Sequence, residues 1–334
     1  MNVISAIYLN KDKDLFWSKI DELSRCITSL DSRYIKYNFE YYEQRSCDEL
    51  NEHSNRSFIL LSGNKPFFAF IGSLVTKRNN SKCLCVFERP CGIFEKSNIS
   101  KIEKKAIRIY LEKLLKDKNF KCRFRVEMNV KELSSSAAYL IFLNQFQINP
   151  EYCFFIDLKH ELSEIKSNLR KRYKQYINFG LRELNIKIFT SKNITWNEFE
   201  EFMKLHIKES GRQTRSQKTW ERQYQSVKND QAFLIKADLY GKSVSFGLFF
   251  YSKNHCDYSV SVSRRELFDK PIFHSLMWSA IVHAKKLNID SFELGPCYPL
   301  KAINYEPTNK EISIAKFKGG FGGQIRLNFE LTDL

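Results

Sequence analysis

The sequence predicts an α/β protein (α+β, with mixed sheets) built from two tandem domains of one design. Three observations carry this. At 334 residues the chain is too long for one ordinary core and about right for two. Apolar segments of strand length alternate along it with amphipathic segments of helical period. One order of elements (strand–turn–strand, strand, amphipathic helix, strand) occurs twice, roughly 170 residues apart. The expected domains are 1–148 and 149–334, divided near residues 145–151, where Asn149–Pro150 interrupts the pattern.

In the first half, residues 58–61 and 67–76 read as strands around the turn Ser62–Gly63–Asn64, and 83–87 as another strand. SKIE at 100–103 has capping-box spacing: Ser100 can accept from the N–H of Glu103, which can reach back in turn. It opens a helix with Ile102, Ala106, Ile109, Tyr110 and Leu114 on one side, and a strand over 121–128 follows.

In the second half, 152–158 (YCFFIDL) reads as a strand. Residues 161–178 read as a helix with Leu162, Ile165, Leu169, Tyr173 and Tyr176 on one face. A short strand spans 186–189. TWNE at 195–198 is a second capping box, opening a helix through about residue 208, and another helix covers 216–228. Strands over 232–239 and 243–251 flank the turn Tyr240–Gly241–Lys242. The next strand alternates, with Cys256, Tyr258, Val260 and Val262 on one face and Asp257, Ser259, Ser261 and Ser263 on the other. A strong helix follows, with Asp269 as its cap, Pro271 in its first turn, and a stripe of Phe273, Leu276, Met277, Ala280, Ile281, Ala284 and Leu287. A strand over 291–294 ends at Gly295–Pro296; beyond an irregular stretch come a short helix over 310–317 and a last strand over 324–331.

Composition narrows the function classes. Hydrophobic residues make up 43% of the chain and aromatic residues 14%, enough for packed cores, so wholesale disorder is excluded. No apolar run nears the ~18 residues that span a bilayer. The first residues lack the basic start, apolar middle and small-residue cleavage site of a signal peptide. The expectation is a cytoplasmic protein with no transmembrane segment. Lys and Arg total 54 against 38 acidic residues, a net charge of +16. Such an excess favours polyanionic partners: nucleic acid, an anionic membrane surface or phosphorylated substrates. It also reads as compositional drift in a chain rich in Lys, Asn and Ile. The nine cysteines are odd in number and form no CxxC pair, and nothing completes a zinc set around Cys83, Cys85 and Cys91. Reduced thiols and no metal are expected.

The element order of the second half resembles the GNAT acyltransferase fold. Two such domains in tandem, with a basic helix opening the second, resemble the Fem-type proteins, the aminoacyl-tRNA-dependent peptidyltransferases of peptidoglycan and their FemAB-like relatives. The sharpest likeness is AKFKGGFGG at 315–323, followed by a strand; HSLMWSAIVHAKKLNIDSFELG at 274–295 is similar to the penultimate helix and strand of that family. GNAT enzymes commonly hold the acetyl-CoA pyrophosphate in a glycine-rich turn before the main helix. Here that turn reads SRRELFDKP at 263–271, without glycine but with Arg264 and Arg265 as candidate donor-binding residues. Fem-type transferases also lack the usual turn, and they take their acyl group from tRNA.

The resemblance and the local chemistry nominate the site residues. Arg170, Lys171 and Tyr173 lie in a basic stretch, SNLRKRYKQY, where the resemblance places sugar-nucleotide contacts; a solvated helix face is the plainer reading. His206 lies on the apolar side of its helix, which suits a base or a satisfied core residue, and Arg212 and Arg215 suit a phosphate clamp or ordinary loop surface. Asp257, on a polar strand face, is the candidate general base, with Glu293 as runner-up. Lys318 matches the lysine of Fem-type chemistry, and a cation there can stabilise a developing oxyanion; the neighbouring glycines also read as a plain tight turn. His274, at the start of the main helix, can meet the donor or lie buried.

GxSxG, HExxH, GxxxxGK[ST] and the kinase signatures are absent, which excludes the corresponding hydrolases, metalloproteases, P-loop enzymes and kinases. The resemblance implies an acyltransferase that moves an acyl or aminoacyl group to the amine of a nucleotide-linked or phosphorylated sugar, in cell-surface glycan or peptidoglycan-precursor synthesis. Acyl-CoA and aminoacyl-tRNA remain the two candidate donors, the second making tRNA a partner. The rivals are an acetyl-CoA-dependent N-acetyltransferase of another small amine and a non-catalytic RNA-binding protein.

Overall fold

The computed structural model describes residues 3–27, 31–46, 50–87, 89–116, 119–127, 134–143, 146–298 and 306–333. The chain divides into two compact units, Met1–Glu151 with Leu327–Leu334, and Tyr152–Arg326.

The first unit opens with three elements absent from the sequence reading, β1 (Ile4–Tyr8), α1 (Lys13–Ser24) and α2 (Ser32–Ser46). The Asp12 carboxylate accepts the Leu15 N–H and starts α1, which buries Phe16, Trp17, Ile20 and Leu23. Next come β2 (Leu50–Asn55), β3 (Phe58–Ser62), β4 (Lys65–Ile71) and β5 (Ser73–Lys77). They form one bent hairpin, with β3 on β4 and β2 on β5. The single strand expected over 67–76 is therefore two. At the bend, Ser57 Oγ donates to the Gly72 carbonyl at 3.1 Å and accepts the Gly72 N–H at 3.0 Å. A Cβ on Gly72 would lie 2.7 Å from the Phe70 ring and 2.8 Å from the Cys91 sulfur, so packing demands glycine.

After β6 (Lys82–Cys85) and β7 (Gly92–Glu95), the Ser100–Glu103 capping box opens α3 (Lys101–Leu115), and β8 (Lys121–Glu127) and α4 (Ser135–Phe142) follow. Residue 128, the expected end of the strand, lies outside the described residues. One sheet runs β1-β3-β4-β7, and β2, β5, β6 and β8 form a mixed one with β6 and β8 parallel. Both faces of β3 and β4 are covered: Phe58, Leu60, Phe68 and Phe70 lie in one core, Ile59, Ala69 and Ile71 in another.

Asn149–Pro150 does not break the chain. It lies within β9 (Phe146–Asp157), because the fixed φ of proline suits extended backbone. The helix expected over 161–178 is two, α5 (Leu162–Ser167) and α6 (Lys171–Glu183). Between them Arg170 leaves the helical conformation and its N–H donates to the Gly320 carbonyl at 2.9 Å. Then come β10 (Asn185–Phe189), α7 (Trp196–Ser210), α8 (Gln217–Lys228), β11 (Ala232–Leu239), β12 (Lys242–Tyr251), β13 (His255–Ser263), α9 (Ile272–Lys286), β14 (Ser291–Pro296) and α10 (Asn309–Gly319). The expected capping box at Thr195 is present, and Gly211, at φ +67°, ends α7. Asp269 does not cap α9, whose N-cap is Pro271 without a side-chain bond. The irregular stretch expected after Pro296 falls largely outside the described residues.

The sheet of this unit runs β10-β11-β12-β13-β14-β9, antiparallel except between β13 and β14. On one face, Ile177 of α6 and Leu276, Met277 and Ile281 of α9 pack with Phe233, Phe249 and Phe292. The even alternation expected along β13 fails at a bulge. Leu248 faces Val260 but Phe249 faces Tyr258, which leaves Ser259 unpaired. Past the bulge the phase inverts: the Tyr258 hydroxyl meets Ser261, and Ser263 meets Ser245. The serines are thus not one polar face shared with Asp257.

The last strand, β15 (Gln324–Asp333), was read from the sequence as the end of the second domain. It pairs antiparallel with β8 through residues 328–332, and Arg123 meets the Glu330 carboxylate at 2.5 Å.

Candidate active site

The site forms where β13 and β14 run parallel. Their register sets His255 opposite Ser291 and Asp257 opposite Glu293. The two-residue period puts these four side chains on one face, away from the core side taken by Cys256, Phe292 and Leu294. His255 Nε2 lies 2.7 Å from Asp257 and 3.6 Å from Glu293, and its Nδ1 lies 3.2 Å from Ser291 Oγ. Arg326 donates to the same Ser291 hydroxyl at 3.4 Å, and its guanidinium lies 4.4 Å from the Phe155 ring centre. Burial works against a charge on His255, but the two carboxylates outweigh it and hold the imidazole up to about 9. His255 was missed in the sequence. Its signal was an alternate-residue pair with Asp257 on a strand predicted to be half polar.

Lys318 reaches β14 beside this group. Gly295, at φ +90°, leaves the room: a Cβ there would lie 2.8 Å from the Lys318 ammonium. The lysine is no turn residue. It sits in the last turn of α10 and is 8% exposed. Among the described residues its ammonium makes no hydrogen bond or ion pair. Burial pushes its pKa below the usual lysine value, against the opposing pull of Cys153, Glu293 and Cys297. The structure therefore brings Asp257 and Glu293 together through His255, and sets Lys318 against Gly295 of the same strand as Glu293.

The other nominated residues pack against different partners. Tyr173 is buried: its hydroxyl donates to the Phe317 carbonyl at 3.1 Å, and its ring packs 4.5 Å from His274 and 5.1 Å from Phe321. His274 is held down to about 4 by burial, and its Nδ1 has no hydrogen-bond partner. The glycines after Lys318 serve this packing. A Cβ on Gly320 would lie 2.3 Å from the Tyr173 ring, and one on Gly323 2.7 Å from the Phe155 carbonyl oxygen. Arg170 and Lys171 stand exposed at the start of α6, the Arg170 guanidinium 5.3 Å from the Tyr173 ring centre.

His206 packs 5.2 Å from the Trp220 ring, with Ser210 and Thr214 hydroxyls at 3.3 and 3.4 Å from its Nδ1. Arg215 covers the same Trp220 at 4.8 Å, and Arg212 is exposed. Arg264 and Arg265 follow the far end of β13. Arg264 donates to the Ser243 carbonyl at 2.7 Å, the Arg265 N–H to the Glu209 carboxylate at 3.1 Å, and the Ile272 N–H to the Lys270 carbonyl at 2.9 Å. An acidic side chain and local carbonyls thus take backbone donors that a pyrophosphate would need.

The buried histidines make a stability prediction. Burial, aided by Arg215, holds His206 down to about 4, as burial alone holds His274. Unfolded histidine titrates near about 6.5. Between those values the unfolded chain binds protons that the folded chain refuses, so stability falls as pH falls through the window. The melting temperature should drop from pH 7 to 4.5, and the slope should be shallower in His206→Gln. An unchanged slope would remove His206 from the account.

No protein-family profile matches the chain, and no curated protein sequence matches it. Solved structures do. FemX has a TM-score of 0.62 at 11% identity, covering 89% of this chain and 95% of that one. The C-terminal domain of a putative lysylphosphatidylglycerol synthetase from Agrobacterium fabrum gives 0.59 at 10%, covering 94% and 91%. A tandem GNAT protein from the clavulanic acid biosynthesis pathway gives 0.55 at 8%, covering 99% and 97%. At such identities the likeness establishes the fold alone, and that fold is a pair of GNAT-like domains.

Proposed function

We propose that this chain is an aminoacyltransferase, moving an aminoacyl group from tRNA to an amine of a nucleotide-linked or otherwise phosphorylated sugar in cell-surface glycan or peptidoglycan-precursor synthesis. The observation that carries the proposal is Lys318, a buried cation set against Gly295 of β14 that nothing among the described residues neutralises by direct contact. The names of the structural neighbours, FemX and a putative lysylphosphatidylglycerol synthetase, support transfer of this kind.

In such a reaction the acceptor nitrogen attacks the ester carbonyl of the charged tRNA. A C–N bond forms, the ester C–O bond breaks, and the freed ribose hydroxyl takes a proton. Lys318 is suited to hold the negative charge that builds on the carbonyl oxygen. The group of Asp257, Glu293 and a protonated His255 carries one net negative charge, which favours an incoming ammonium and the uptake of its proton. The occupied backbone donors at Arg265 and Ile272 weigh against an acyl-CoA pyrophosphate, and the +16 charge supports a polyanionic donor.

Purified protein incubated with bulk charged tRNA and a nucleotide-linked amino sugar should form amide product, and ribonuclease pretreatment should abolish it. Product that survives ribonuclease and requires acyl-CoA would overturn the choice of donor. Failure with both donors would overturn the transferase reading itself.

A further inference from the structure

We infer that His255, Asp257 and Glu293 form a binding site for one divalent metal ion of the manganese–zinc class. One nitrogen and two carboxylate oxygens lie within 4.8 Å of one another, all on side chains from two neighbouring strands in register. Two atoms each about 2.1 Å from one ion, at tetrahedral or octahedral angles, stand about 3.0–3.4 Å apart. The His255 nitrogen is 2.7 Å from Asp257 and 3.6 Å from Glu293, so the two edges that include the imidazole lie close to the required separation.

The ring is also aimed. When a cation displaces the Nε2 proton, Nδ1–H can donate to Ser291 Oγ, 3.2 Å away, while Nε2 stays turned to the two carboxylates. That is the outer contact that fixes tautomer and orientation in metal-bound histidines. The three side chains stay 20–27% exposed, which leaves an approach for the ion and positions for water around it. An imidazole with two carboxylates selects manganese, iron or zinc over calcium, which prefers an all-oxygen cage. A bound ion would occupy the oxygens assigned above to the amine's proton, so it would hold transfer down. The inference itself does not depend on transfer, because binding is read without substrate.

Full-length protein stripped with chelator and titrated with Mn²⁺ should take up one equivalent, read as loss of the free-ion electron paramagnetic resonance signal. Asp257→Asn, Glu293→Gln and His255→Gln should each weaken binding at least tenfold, and Ser291→Ala roughly tenfold through the lost ring contact. A measurement on the unaltered chain guards against misfolded variants: Zn²⁺ should move the ring-nitrogen resonance of a single histidine among the six. No saturable uptake at millimolar Mn²⁺, no single histidine moving, or full binding in all three ligand variants would each overturn the site. Loss of tRNA-dependent transfer alone would leave it standing.

Discussion

Lys318→Met should slow transfer to the acceptor about a hundred- to thousandfold, a loss of ~2.7–4 kcal/mol of transition-state stabilisation, without lowering the melting temperature. The two halves of this expectation have one cause. The ammonium is 8% exposed and has no hydrogen bond or ion pair among the described residues, so the fold bears the cost of its desolvation. Methionine fills similar volume and removes that cost, so stability should hold or rise. The chemistry loses the cation proposed to meet a developing oxyanion. Lys318→Arg should rescue poorly, because a planar fork does not fit where a Cβ on Gly295 would already lie 2.8 Å from the ammonium. Turnover measured beside melting curves decides it. Wild-type turnover in Lys318→Met would reduce the lysine to packing, and a collapsed melting temperature would make it structural.

The second large effect is purely structural. Gly322→Ala should destabilise the fold by about 3–4 kcal/mol, among the larger losses seen for single substitutions. The residue has φ +76°, which costs an alanine about 1–2 kcal/mol by itself. Its Cβ would also lie 2.2 Å from the Asn168 carbonyl oxygen, a backbone atom that cannot swing aside. Gly211→Ala is the matched control, since Gly211 has φ +67° but nothing within 4 Å of its would-be Cβ. At about 2–4 °C per kcal/mol, Gly322→Ala should melt near 10 °C below wild type and Gly211→Ala only a few degrees below. Equal losses in the two variants would show that the Asn168 contact relaxes at no cost.

The sequence disclosed the second unit more fully than the first, for physical reasons. Its helices carry strong caps and stripes, such as Thr195 with Glu198 and the apolar side of α9, which are local signals. In the first unit, α2 has tyrosines on several sides, and β3 and β4 are buried on both faces, so neither shows a simple period. The breaks at Gly72 and Arg170 depend on distant partners, Cys91 and Gly320, that no window of sequence contains. The same holds for the site. Asp257 and Glu293 could be nominated separately, but their meeting through His255 rests on the parallel register of β13 and β14. The Ser259 bulge hid the true faces of β13, because one extra residue inverts everything beyond it. Tyr173 drew attention through its basic neighbours, yet its place is set by the room that Gly320 leaves.

The pairing of β15 with β8 fixes the order in which this chain can fold during synthesis. Arg123 and its partner Glu330 are 207 residues apart. At about 5–20 residues per second, the ribosome needs roughly 10–40 s to make the residues that separate the two. Through that interval β8 offers an open edge, able to pair with another nascent chain. Residues 152–326 meanwhile leave the ribosome complete and free to fold. The part of the protein made first is therefore the part finished last, and its window of exposure is set by the speed of translation through the part made second.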